Sequence, residues 1–263
     1  LHTWLVKEIQ LFWDRIKSSD KKVIAILVSI ALFQTLSWYF FSRRFFRENL
    51  SSQFFTGIDN LKLIEYLYWF LSETIPLFIM PLLIIKFLFK EKIRDYGVSA
   101  GNISLGIKYT LLFSVIMILI VWFSSANAEF AGRYPHIQEA KMNWTIFFIY
   151  EFGMLIYMFN WEFAWRGYML FGLEEKFGFY AIFIQMIPFV ILHNGKPFLE
   201  TFGAIFGGIA LGFLAFRTRS VFYPVLVHFV TMFFIDFFSV LRSKTNELGI
   251  SPKSLYNIIE KLF

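Results

Sequence analysis

Cysteine is absent from all 263 residues. Disulfides, thiolate nucleophiles and cysteine-ligated zinc are therefore excluded. No internal repeat or low-complexity segment is present, which argues against carriers built from inverted repeats and paired broken helices. The HExxH spacing of soluble zinc proteases is missing as well, so a metal reading starts weaker. Charge is sparse, at 17% of residues. The stretch Leu1 to Ser19 carries charges throughout and no apolar h-region, so no cleavable signal peptide is expected. In place of these features the chain has apolar bulk: 57% hydrophobic residues, 22% aromatic and 37 phenylalanines, with a mean hydropathy of +0.59. Its apolar runs recur at a length near the ~20 residues that cross a hydrocarbon core as a helix. The formal net charge of +6 reads, in such a chain, as loop charge that orients the spans and meets anionic lipid; no nucleic-acid partner is expected.

The pattern predicts an all-α polytopic transmembrane helical bundle of about seven to eight spans with an N-terminal amphipathic helix. In residues 1–17, Trp4, Leu5, Ile9, Phe12, Trp13 and Ile16 recur at helical spacing, with Lys7, Glu8, Asp14 and Arg15 elsewhere. Such a helix lies in the membrane interface or caps the bundle. Spans are expected at roughly 23–41, 63–89, 105–124, 144–171, 179–192, 198–216 and 221–240. Pro76 and Pro81 predict a kink in the second. The natural division is residues 1–20 as the interfacial helix, 21–240 as the bundle with its polar core in 144–240, and 241–263 as a C-terminal tail. The Lys and Arg bias, led by Lys7, Arg15, Lys17, Lys21 and Lys22, favours an internal N-terminus, although Arg43, Arg44 and Arg47 oppose it.

An ionisable group at membrane depth costs several kcal/mol unless paired or hydrated, which makes it a functional hypothesis by default. The informative set is Glu162, Arg166, His193, Glu200 and His228, all in the second half of the chain. Glu162 and Arg166 are spaced i, i+4 and can pair on one helix face, as a site or as a packing lock. His193 ends an apolar run, where a dipole contact at a helix C-terminus is the plainer reading. His228 sits near the centre of an apolar span and must find a partner inside the bundle. Glu200 follows His193 by seven residues, about two helical turns; a helix N-terminus also favours an acid there. Gly203, Gly207, Gly208 and Gly212 leave a small-residue stripe that lets another helix approach. A carboxylate with two imidazoles suits water activation, with one histidine sharing the proton and the other donating to an oxyanion. The same trio, Glu162, His193 and His228, admits zinc, with no cofactor required otherwise.

The order of these residues resembles the CPBP family of intramembrane proteases (the CAAX endopeptidase and bacteriocin-processing, or Abi, group), recognised by EExxxR, FxxxH and HxxxN. The first motif aligns with Trp161-Glu162-Phe163-Ala164-Trp165-Arg166, the second with Phe189-Val190-Ile191-Leu192-His193 and the third with His228-Phe229-Val230-Thr231-Met232. Asp95-Tyr96-Gly97-Val98 and the stretch from Gly207 to Pro224 also look like the family, so that the likeness covers roughly residues 94–235. The resemblance implies a multi-span endopeptidase in which His193 partners the base, His228 holds the oxyanion and Glu162 is supported by Arg166. The first Glu of the family pattern is Trp161 here, and the last Asn is Met232. Trp cannot activate water and Met cannot donate a hydrogen bond. Glu162 is then the working carboxylate, or Glu200 supplies it, or the chain is a catalytically inactive CPBP-like scaffold. The expected partners are a membrane-associated peptide or protein tail and the lipid bilayer. Lack of cysteine and of a eukaryotic targeting signal points to a bacterial cytoplasmic (inner) membrane.

Overall fold

The computed structural model describes residues 2–262, which form helices and no strands. Helix α1 (His2–Ser18) precedes α2 (residues 21–41) and α3 (residues 43–54), which are separated by a bend at Ser42. Then follow α4 (Leu61–Phe89), α5 (Ile103–Ser124), the short α6 (Ala128–Arg133) and α7 (Gln138–Met142), and the long α8 (residues 144–177). Helices α9 (Ala181–Ile191), α10 (Phe198–Thr218), α11 (Phe222–Thr245) and α12 (Pro252–Leu262) complete the chain. Among the described residues, five helical stretches are long and apolar enough to cross a membrane: Lys21–Phe54, Leu61–Phe89, Ile103–Ser124, Glu200–Thr218 and Phe222–Thr245. Helices α8 and α9, also expected to span, fall outside this set, and α9 has only 11 residues.

Side-chain caps set several helix starts. Asp20 accepts from the Lys22 and Val23 amides at α2. Asn102 accepts from the Leu105 amide at α5, and Asn143 from Thr145 and Ile146 at α8. The kinks expected in α4 are π-helical turns at Ile75–Ile79 and Ile84–Phe89, around and after the prolines that cannot donate to the ladder. The first span differs from expectation. Helical structure resumes after Ser42 because Arg43 and Arg47 approach the buried Glu65 (3.6 and 2.5 Å), so charges that read as a loop are absorbed by ion pairs. The last span also runs further, to Thr245 rather than 240. Arg242 sits fully buried there, donating to Ser125 Oγ and to the carbonyls of Trp122, Glu247 and Gly249 at 2.7–3.1 Å.

Helix α8 is central. It packs on α4 and α11, and its second half on α2, α9 and α10. The glycine stripe of α10 is used in part. A Cβ at Gly208 would meet Met186 at 2.8 Å and one at Gly212 would meet Gln185 at 2.7 Å, whereas Gly203 and Gly207 face open space. Helix α5 lies along α11, with Gly106 flat against the Tyr223 ring. The segment Asp95 to Val98 is tied to the α10–α11 corner by a bond from the Val221 amide to the Gly97 carbonyl (2.9 Å). These contacts fix α8, α9, α10 and α11 against one another at the level of the polar residues.

Candidate active site

Glu162 stands where α8 widens from α- to π-helical, the π stretch running Phe163–Phe171 with every residue buried. Such widenings break the i→i−4 register and recur at functional sites. The Glu162 and Arg166 side chains are both 0% exposed, with Arg166 Nη1 donating to Glu162 Oε1 at 3.1 Å. The same oxygen meets His228 Nδ1 of α11 at 2.6 Å. A carboxylate only accepts, so His228 donates from Nδ1–H and its Nε2 is left free for other chemistry.

His193 lies just beyond α9, buried, with Nδ1 2.7 Å from the Phe189 carbonyl. That carbonyl accepts, so His193 also carries its ring proton on Nδ1 and leaves Nε2 available. Its backbone carbonyl accepts from Thr201 Oγ1 (2.9 Å), which holds the α9–α10 turn. Burial, helped by the Lys196 charge, pushes the His193 pKa down to about 4, so the ring is neutral near pH 7.

Phe189 is the hub. The Arg166 guanidinium carbon lies 4.1 Å from its ring centre, the His193 ring 4.6 Å and the His228 ring 6.2 Å. Trp161 is a fourth neighbour at 6.1 Å. Several polar atoms here have no protein partner although buried: Glu162 Oε2, Arg166 Nε and Nη2, and the indole nitrogens of Trp161 and Trp165. Buried polar groups in native proteins are satisfied by protein or by ordered water. This concentration of unpartnered polar atoms sets the centre apart from the apolar packing around it.

The structure thus brings together Glu162, Arg166 and His228, with His193 across the Phe189 ring. Glu200 is engaged elsewhere. Its Oε1 accepts from Lys196 Nζ (2.6 Å) and its Oε2 from the Tyr134 hydroxyl (2.8 Å), so its carboxylate makes no hydrogen bond to either imidazole. The α6–α7 loop that supplies Tyr134 also reaches the α9–α10 turn through Arg133 Nη2 and the Gly195 carbonyl (3.3 Å). Met232, at the position of the family's Asn, packs among the apolar residues around Phe147 and Tyr134. Among the described residues no three His, Asp or Glu side chains cluster closely enough to ligate a metal ion. Glu162, His193 and His228 would have to rearrange to hold zinc.

Asp236 was not singled out from the sequence. It lies on α11 two turns beyond His228 and beside Glu151 of α8, and none of the four oxygens of the two carboxyls has a hydrogen-bond partner in the protein. An acid inside an apolar span was the available signal.

Residues 141–234 match a family model described as Rce1-like, type II CAAX prenyl endopeptidase. The match is consistent with the CPBP family of intramembrane proteases. No curated protein and no solved structure matches the chain. The matched segment begins in α7 and ends in α11, so it contains Glu162, Arg166, His193, Glu200 and His228. Asp95 to Val98, Tyr134 and Asp236 lie outside it. The chain is an integral membrane helical protein whose residues 141–234 are similar to CAAX-type endopeptidases.

Proposed function

We propose that the chain cleaves a membrane-associated peptide or protein tail by water activated between His193 and the Glu162–His228 pair. The observation that carries this reading is the 2.6 Å contact of His228 Nδ1 with a carboxylate that is itself held by a buried arginine. A carboxylate so placed fixes the imidazole's tautomer and orientation. Neutral His193, with Nε2 free, takes the proton of a water as its oxygen attacks the scissile carbonyl carbon. The carbonyl π pair becomes the oxyanion, which the Arg166 charge stabilises while Glu162 holds the His228 ring beside it. When the C–N bond breaks, the leaving amine takes its proton from His193. Trp161 has no proton-transfer role, and the work assigned to the first family Glu falls to Glu162.

The substrate class is a tail presented at the bilayer, and the location is a bacterial cytoplasmic membrane, the reading favoured by the chain's lack of cysteine. Purified protein in detergent, offered a library of membrane-tail peptides, loses cleavage in Glu162→Gln, His193→Ala and His228→Ala, while Glu200→Gln retains most of it. Full activity in both Glu162→Gln and His193→Ala removes the reading. A wild type that cleaves nothing in the library, together with strong destabilisation by Glu162→Gln, supports an inactive scaffold in its place.

A further inference from the structure

A groove of about 500 Å³ opens between α1, α2 and α4. Ile24, Val28 and Leu32 form one wall, a single face of α2 at one residue per turn. Ile84 and Leu88 of α4 form the opposite wall, and Trp13 and Ile16 of α1 close the end. Val28 is 63% and Leu88 62% exposed, and both lie on spans apolar enough for a bilayer, so the groove faces lipid. Two cations, Lys17 and Lys21, stand where α1 turns into α2. Among the described residues neither has a carboxylate within ion-pair distance, whereas Lys22 beside them is bonded to Glu91 at 2.7 Å.

We propose that this groove binds one anionic phospholipid, an acyl chain lying along α2 and the phosphate held by Lys17 and Lys21. Dimensions support it. From Lys21 to Leu32 a helix rises about 16 Å, which is about half of the ~30 Å hydrocarbon core and therefore one leaflet. Charge supports it too, because the lysines lie at the interfacial end of an otherwise apolar slot, where cations meet lipid phosphates. Helix α1 gains its place by the same contact. Its Trp13 and Ile16 cover the lipid while the rest of its apolar face (Trp4, Leu5, Ile9, Phe12) stays exposed to the interface.

The test is native mass spectrometry of the full chain released from detergent with either dioleoyl-phosphatidylglycerol or dioleoyl-phosphatidylcholine. Glycerol 3-phosphate, which has the anion but no chains, is the third arm. The expected result is selective retention of the phosphatidylglycerol. Lys17→Gln/Lys21→Gln weakens retention about 25-fold, at about 1 kcal/mol per surface cation. Ala25→Phe, which fills the slot between the walls, weakens it with both charges in place. The lysine positions are exposed, so their variant folds even where the filled groove perturbs packing. Equal retention of the two phospholipids, or retention of the phosphatidylglycerol unchanged in the double lysine variant, overturns the proposal. Equal binding of glycerol 3-phosphate does the same.

Discussion

Replacing Glu162 by Gln leaves the Arg166 guanidinium buried, charged and without its counter-ion. Both side chains are 0% exposed, and Nε and Nη2 of Arg166 already lack protein partners. Removing one member of a buried pair costs about 3–5 kcal/mol, most of it the stranded charge. For a chain of this size a kcal/mol moves Tm by roughly 2–4 °C, so Glu162→Gln lowers Tm by about 6–20 °C. Arg166→Met does similar damage from the other side, leaving the carboxylate to His228 alone. The double variant Glu162→Gln/Arg166→Met removes both charges and recovers most of the loss, because a neutral filling of similar volume is often as stable as the pair. The assay is thermal unfolding of purified protein in one detergent, read by circular dichroism for wild type, both singles and the double, as a double-mutant cycle. Losses that simply add in the double variant, or a Glu162→Gln protein with unchanged Tm, refute the reasoning.

Other outcomes follow from the same structure. His193 and His136 are each held neutral by burial, their pKa values pushed down to about 4. The unfolded chain binds protons there first, so stability is full above about pH 6.5 and falls as pH drops from there toward about 4; thermal unfolding across that range shows the decline, and His136→Phe reduces it. For the same reason the acid limb of cleavage lies near pH 4 rather than near the usual histidine value, as a pH–rate profile checks. Arg242→Met breaks four hydrogen bonds to buried or part-buried acceptors and costs about 1–3 kcal/mol; limited proteolysis then cuts first after Thr245. Gly106→Ala drives a methyl to 2.1 Å from the Tyr223 ring and costs about 1–3 kcal/mol in the Tm series.

Periodicity and length located the long helices because a bilayer forces each span to satisfy its own backbone, although five stretches among the described residues, against the seven to eight expected, are long and apolar enough to cross. The motif residues were legible for a related reason: an acid, an arginine and a histidine inside apolar runs are too costly to be incidental. Pairings between distant segments were not legible. Glu200 reads as an acid in line with His193, but its carboxylate is held by Lys196 and by Tyr134, a loop residue 66 positions earlier. Arg43 and Arg47 read as the end of a span, yet Glu65 and Tyr66 of the next helix accept their charge, and the helix resumes. The Glu151–Asp236 contact escaped notice because neither residue has a local partner at helical spacing. The π stretch after Glu162 carries no distinctive sequence signal, since apart from Arg166 its residues are apolar or small like most of those in the helix before it.

That wider turn has a consequence for how the protein tolerates length changes. A π-helical stretch holds surplus backbone relative to an α-helix. A residue deleted between Phe163 and Phe171 is absorbed by rewinding into ordinary α geometry, whereas one deleted from the regular α turns of Trp144–Glu162 swings one flank by about 100° against the other. Mean hydropathy would hardly alter and the span would still insert, yet the acid on one side and the packing surface on the other could no longer both meet their partners. The phase of this one helix, more than its composition, keeps the Glu162 carboxylate in front of the His228 ring.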